Sequence, residues 1–323
     1  MVMMVMVVMV MKEVHSSSLP SRSFTIGGVL HDNTTQQHFT RALRMINFDG
    51  VSVADKTTLY EETTVLLGGP LTTALHVCNT IISKAVLAVV VASAPGGSGA
   101  TAAVSYTCGF FHIPVICTHS RDSAFSNKNI HASLLRTVPP YSQQADVWVL
   151  LMRRLHYRQA ILLHSATADG RALKDRFQAL TRRHTDPEEA VKLAEVIEFR
   201  EGQESFVEEL TTIRHHLVKV ILLSASESDA GRIFHDARYL NVTSEGYVWL
   251  VGEEALHADN APLGTLALTL NHAHDYNAHI TDSLRVVARA LKLLHETQLY
   301  IPTPPVSCDD ESDWDLTGQT LFR

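Results

Sequence analysis

Along most of the chain, short apolar runs alternate with longer stretches in which apolar residues recur every three or four positions. The short runs read as strands and the longer stretches as helices. Phe24–Leu30 is the first predicted strand, with glycines that allow close backbone approach. A helix over Thr35–Ile46 follows, with Asn33 or Thr34 as its cap. Val51–Leu59 alternates as a strand, and Thr72–Ser83 is helical with Leu75, Cys78, Ile81 and Ile82 on one face. Val86–Ala92 is continuously apolar, the pattern of a strand covered on both faces. Ala102–Phe111 is helical and Val115–Thr118 is a strand.

The alternation halts at Leu135-Arg136-Thr137-Val138-Pro139-Pro140-Tyr141-Ser142. Two adjacent prolines belong in neither a helix interior nor a central strand, and each restricts the residue before it. Leu134–Ser142 therefore reads as a hinge strand leaving one α/β lobe and entering a second, with a surface turn as the plainer alternative. Beyond it the pattern resumes. Ser142 caps a helix to Leu155 that turns Val147, Leu150, Leu151 and Leu155 inward, and Ala160–His164 is a strand. Asp169 caps Gly170–Arg183; Leu193–Phe199, Val218–Leu223 and Tyr247–Val251 are strands, and Ser205–His216 and Ser226–Leu240 are helices. ILLHSATADGRALKDRF and ILLSASESDAGRIFHDA repeat one unit of strand, small polar loop, acidic cap and helix. Repeats of this kind build parallel sheets with helices on both faces. Leu266–Leu270 is a further strand, and Thr281–Glu296 is amphipathic through Leu284, Val287, Ala288, Leu291 and Leu294. Ile301–Pro305 breaks structure, and a new element begins at Thr317–Arg323, so a truncated C-terminal end is expected.

Composition narrows the function classes. With 323 residues the chain suffices for two domains, and 46% hydrophobic against 19% charged residues suits a globular core. A net charge of −7 and the lack of a Lys/Arg run argue against nucleic acid as a partner. No apolar stretch reaches the roughly 18–20 residues of a membrane span. Met1–Met11 is all apolar but lacks a positive n-region, so 1–23 is a signal-like or disordered extension.

Catalytic signals are sparse. Ala94-Pro95-Gly96-Gly97-Ser98-Gly99 lacks the lysine of a phosphate loop and the dinucleotide spacing. The 18 histidines, among them His215-His216, His272, His274 and His279, form no metal-ligand pattern, so no metal and no cofactor is expected. No nucleophile elbow occurs, and the acids cluster at helix starts, so the chain is not expected to be an enzyme. Cys78, Cys108, Cys117 and Cys308 show no paired zinc spacing and leave three full pairings open. Asn33-Thr34-Thr35 and Asn241-Val242-Thr243 are glycosylation sequons. Facing parallel sheets create a cleft at their strand ends, where open α/β folds bind ligands.

VSYTCGFFHIPVICT (104–118), NIHASLLRTVPPYSQQADVW (129–148), VILLSASESDA (220–230) and LNVTSEGYVWLVGEE (240–254) carry a resemblance. They resemble the amino-terminal domain of NMDA-type ionotropic glutamate receptors, above all of the obligatory glycine-binding subunit type. The resemblance covers about residues 24–323. It implies a two-lobed clamshell of the leucine/isoleucine/valine-binding-protein type (a type I periplasmic-binding-protein-like fold), with 24–140 plus 271–323 as the first lobe and 141–270 as the second. It implies an extracellular, postsynaptic regulatory domain that assembles with other receptor subunits and modulates gating of a cation channel. The agonist module, membrane helices and pore would follow Arg323.

The resemblance also implies a disulfide between Cys78 and Cys308, with Cys108 and Cys117 as buried thiols or a private pair. The proline-marked hinge comprises Arg136, Thr137, Val138, Pro139 and Pro140. Tyr106, Thr107, Phe110 and Ile130 match positions where phenylethanolamine-type modulators sit between subunits. Ala132 replaces a larger aliphatic residue there, so such a modulator should bind weakly. A free-standing amino-acid-binding protein of the same fold is the alternative; it would need a clamp for carboxylate and ammonium near Ala92–Pro95, Thr118–Ser120, Ser165–Ala168 and Ser224–Glu227.

Overall fold

The apolar runs become the strands of two parallel sheets in the computed structural model, which describes residues 22–49, 57–65, 69–93, 98–182, 190–271, 275–297, 301–309 and 314–323. The first sheet contains β1 (Arg22–Leu30), β2 (Thr57–Val65), β3 (Val86–Ala92), β4 (Val115–Cys117) and β5 (Leu134–Arg136), in the order β2-β1-β3-β4-β5. The second contains β6 (Gln159–Ser165), β7 (Lys192–Phe199), β8 (Val220–Ser224), β9 (Val248–Val251) and β10 (Leu266–Ala267), in the order β10-β9-β8-β6-β7. Every pairing in both sheets is parallel. The two-lobed α/β fold is the one expected.

Each sheet carries its own core. Around the first pack Phe39 of α1 (Asn33–Asp49), Val104 of α3 (Ser98–Phe110) and the expected face of α8 (Tyr276–Thr297), from Leu284 to Leu294. Trp314, just before α9 (Asp315–Phe322), is buried in the same core. Gly27 and Gly28 of β1 let this packing close: a Cβ would lie 2.7 Å from the Ile81 side chain at Gly27 and 2.8 Å from the Thr63 methyl at Gly28. The second sheet is covered on both faces, which explains why β6 and β8 are uninterrupted apolar runs. Ile161, Leu163, Ile221 and Leu223 face α6 (Val207–His215) and α7 (Glu227–Tyr239). Ala160, Leu162 and Leu222 face α4 (Gln144–Arg154) and α5 (Ala168–Arg182).

Several local expectations are corrected. The α1 cap is Asp32, whose carboxylate accepts from Thr35 N–H at 2.7 Å. Hydrogen bonds from the Thr35 hydroxyl and N–H hold its carboxyl well below the usual range. The helix expected at Thr72–Ser83 begins earlier, as α2 (Pro70–His76), and continues as a π turn over Val77–Ile81. Ile81 and Ile82 of the expected face are buried, together with Thr73 and Val77, whereas Leu75 is exposed. In α4 the buried face is Ala145, Trp148, Val149 and Met152, not Val147, Leu150 and Leu155, which are exposed. Apolar residues occupy both faces, and Trp148, fully buried, sets the rotation. Nor does Ser142 cap α4, which is entered through a 3₁₀ turn over Tyr141–Gln143. Only Leu266–Ala267 of the strand expected over Leu266–Leu270 pairs. Residues 51–56 of the expected second strand, the glycine-rich loop 94–97, His272, His274 and the extension up to 21 lie outside the described residues.

Candidate functional site

Two regions bring the singled-out residues together. The first is an apolar face on the first lobe. On α3, Tyr106 and Phe110 are one helical turn apart and are 54% and 79% exposed. Ile130 and Ala132, on the segment leading to β5, are exposed as well. Beneath them His131 is buried and organises the face. Its Nδ1 lies 2.9 Å from the Ser105 hydroxyl, its ring lies 5.0 Å from Tyr106, and Phe125 meets it nearly edge-on at 4.9 Å. Burial, then Lys128 and Arg136, lower its pKa, so it is neutral at pH 7 and acts as an aromatic spacer. Phe110 stands edge-on to Phe111 at 5.0 Å. The Thr107 hydroxyl donates to Ala103 O of its own helix at 2.9 Å, so it is not free to orient a ligand. Leu71 and Leu75 on α2 are also exposed, and α2 packs on α3. Leu71 is not among the residues singled out in the sequence, and Leu75 is placed there on the face of Ile81 and Ile82; their spacing of four, matching Tyr106 and Phe110, is the available signal.

The second region is the crossing between sheets. Arg136 donates to Asp122 O and to the Ser126 hydroxyl, each at 3.0 Å. Thr137 N–H donates to Cys117 O at 3.1 Å and its hydroxyl to Thr118 O at 3.2 Å, while Val138 is buried. Pro139 O accepts from Arg121 Nε at 3.1 Å, and Pro140 leads extended into the 3₁₀ turn. The Arg121 guanidinium lies 4.4 Å over the Tyr141 ring and pairs with Glu253 of the second lobe, both side chains being nearly buried. Glu253 N–H donates to the Gln144 carboxamide at 3.0 Å. Gly252 makes room for this contact: a Cβ there would stand 2.9 Å from Gln144 Oε1.

Asp169 was expected to cap α5, but the nearby cap bond runs from Gly170 N–H to the Thr167 hydroxyl at 3.2 Å. Asp169 instead reaches the first lobe, accepting from Ser123 N–H at 2.7 Å. Burial raises its pKa. The protein crowded around the Glu254 carboxyl pushes its pKa up to about 7, with Asp169 adding to the rise and Arg121 opposing it.

Several of the described polar groups near the cleft are already committed. The Ser165 and Thr167 hydroxyls are 2.8 Å apart, Ser226 accepts from Asp229 N–H at 3.2 Å, and Thr118 donates to Val91 O at 3.3 Å. Arg121 is engaged by Glu253. His119 and His279 rings lie 6.2 Å apart, and among the described residues no group of three or more His, Cys, Asp or Glu is arranged to hold a metal. No described helix is long and apolar enough to cross a membrane.

Cys78 on the π turn is bonded to Cys308, with Cα atoms 5.9 Å apart across 230 residues. Cys108 and Cys117 are buried free thiols, and burial pushes Cys108 up to about 12. Both sequon asparagines are exposed, Asn33 at the first residue of α1 and Asn241 in a left-handed turn with φ of 62°.

Comparison with known proteins places this architecture. The chain is 42% identical over 311 residues to "Glutamate [NMDA] receptor subunit 1" of Drosophila grimshawi, covering 96% of this chain and 32% of that protein. The protein of the same name in Drosophila virilis gives the same values, and that of Drosophila willistoni is 43% identical over 303 residues, 93% of this chain and 31% of its own length. The chain thus spans about a third of the length of the curated relatives it matches. Residues 69–292 match the family model described as receptor family ligand binding region, and the chain belongs to that family of receptor modules, which are not enzymes.

Proposed function

We propose that this chain is the extracellular, amino-terminal regulatory domain of an NMDA-type glutamate-gated cation channel subunit at the postsynaptic membrane. It pairs with different subunits of the receptor through its first lobe and biases gating through movement of its lobes. The observation that carries this reading is the set of exposed apolar side chains on one lobe, Leu71 and Leu75 on α2, Tyr106 and Phe110 on α3, which packs on α2, and Ile130 on the segment before β5. Exposed apolar patches rimmed by polar residues mark protein interaction sites, and aromatic residues are favoured at their centres. A small-molecule modulator would sit at the edge of this face, where Ala132 leaves a shallow floor.

For lobe movement, 24–140 with 271–323 and 141–270 act as the two bodies, and Arg136–Pro140 is one of the segments that bends. The contacts of Arg121 with Glu253 and of Asp169 with Ser123 then form on closure and break on opening. Among the described residues the carboxylate-and-ammonium clamp of a free-standing binding protein finds no uncommitted Arg–Asp set, which favours the regulatory reading. The sequons at Asn33 and Asn241 fit a glycosylated extracellular surface.

The test is co-secretion with the amino-terminal domain of a different NMDA-type subunit, read by light scattering. A one-to-one complex is expected, and Phe110→Lys with Leu75→Lys should weaken it a hundredfold or more. No complex, or a complex indifferent to both substitutions, would overturn the reading.

A further inference from the structure

Helix α4 is apolar on two sides, and the fold uses one. Trp148, Val149 and Met152 are buried on the second sheet, whereas Val147 and Leu150 are 47% and 67% exposed. Through the centre of the exposed side runs a row of side chains four residues apart: Asp146, Leu150, Arg154. Rows of this spacing are the ridges by which helices interlock. The acid and the base lie on opposite sides of Leu150, each about 6 Å away along the axis.

That order is self-complementary under a two-fold axis. If two copies of α4 meet antiparallel with the axis at Leu150, each leucine packs on the other and each Asp146 meets the other copy's Arg154. A parallel arrangement would set like charges side by side. Arg154 is exposed and has no carboxylate partner among the described residues. Asp146 is held by Arg176 of α5, with Nη2 to Oδ1 at 3.0 Å, yet its side chain remains 41% exposed. A carboxylate has about four acceptor sites, so it can take a second guanidinium while keeping the first.

We propose that α4 is a self-association surface, through which two copies of this chain pair about a two-fold axis at Leu150. The surface lies on the second lobe and is separate from the Tyr106 and Phe110 face. Its leucine forms the apolar centre and its two charges set the antiparallel register.

The experiment uses the full chain carrying Phe110→Lys, so that association through the first lobe does not contribute. Sedimentation should show a concentration-dependent dimer. Leu150→Glu and Arg154→Glu should each raise its dissociation constant tenfold or more while leaving the melting temperature of the monomer unchanged. Under mild oxidation Leu150→Cys, on the axis, should form a covalent dimer, and Leu263→Cys, fully exposed elsewhere on the same lobe, should not. A dimer unaffected by Leu150→Glu, the absence of any dimer, or equal cross-linking at both positions would overturn the proposal.

Discussion

The Asp169 carboxylate of the second lobe accepts a hydrogen bond from the Ser123 N–H of the first at 2.7 Å. Charge-assisted bonds of this kind are about twice as strong as neutral ones. Asp169→Ala leaves Ser123 N–H without its partner, and its loss should shift the balance between closed and open lobes by about 1–3 kcal/mol toward open. Distances between fluorophores on the two lobes should lengthen or broaden; an unchanged distribution would mean that this bond does not hold the lobes together.

Glu254 makes the same equilibrium depend on pH. With the lobes closed its pKa is raised to about 7, by burial first and then by Asp169. With the lobes apart, solvated, it should return to near 4.3. Between those values the closed form binds more protons, so acidification favours closure, and this contribution is lost as pH rises through about 7. Glu254→Gln mimics the protonated acid and should flatten the pH response of the lobe distances between pH 5 and 8. Because part of the side chain reaches solvent, the wild-type response should be shallow.

The Cys78–Cys308 bond ties the π turn after α2 to the segment that leads to α9 across 230 residues. Cys308→Ser removes a constraint on the unfolded chain worth about 2–4 kcal/mol. The chemical-denaturation midpoint should fall accordingly, and reduction of the wild-type protein should reproduce the drop. Cys108 and Cys117 should stay unreactive to alkylation in the native state, since both are buried and their thiols are pushed upward in pKa.

Pro139→Ala with Pro140→Ala frees two backbone dihedrals at the crossing but adds N–H groups in a segment already satisfied by Arg121 and Thr137 contacts. Stability should fall by about 1 kcal/mol or less per site, whereas channel modulation in a receptor assembled with this subunit should change clearly. Unaltered modulation beside intact folding would count against a hinge in this segment.

The division between sequence and tertiary structure is visible in particular residues. Val86–Ala92 declared a buried parallel strand because a run covered on both faces has no polar side to show. The α8 stripe from Leu284 to Leu294 declared its buried face because most of the large apolar residues of that helix fall on one side, Val286 and Leu293 being the exposed exceptions. The paired Cys78 and Cys308 and the exposed Tyr106 and Phe110 were reachable through the family resemblance, not through spacing. Helix α4 could not be oriented from its pattern, since Val147 and Leu150 compete with Trp148 and Met152 for the core, and the sheet surface chose the larger, better-fitting set. Asp169 looked like one more helix-start acid. Its bond to Ser123 spans 46 residues and arises only once the lobes face each other. Periodicity, set within a few turns of chain, was enough for the elements and the fold class. The partners of Asp169, Arg121 and Glu254 depend on how two separately folded sheets are set against one another, and only the tertiary structure decides that.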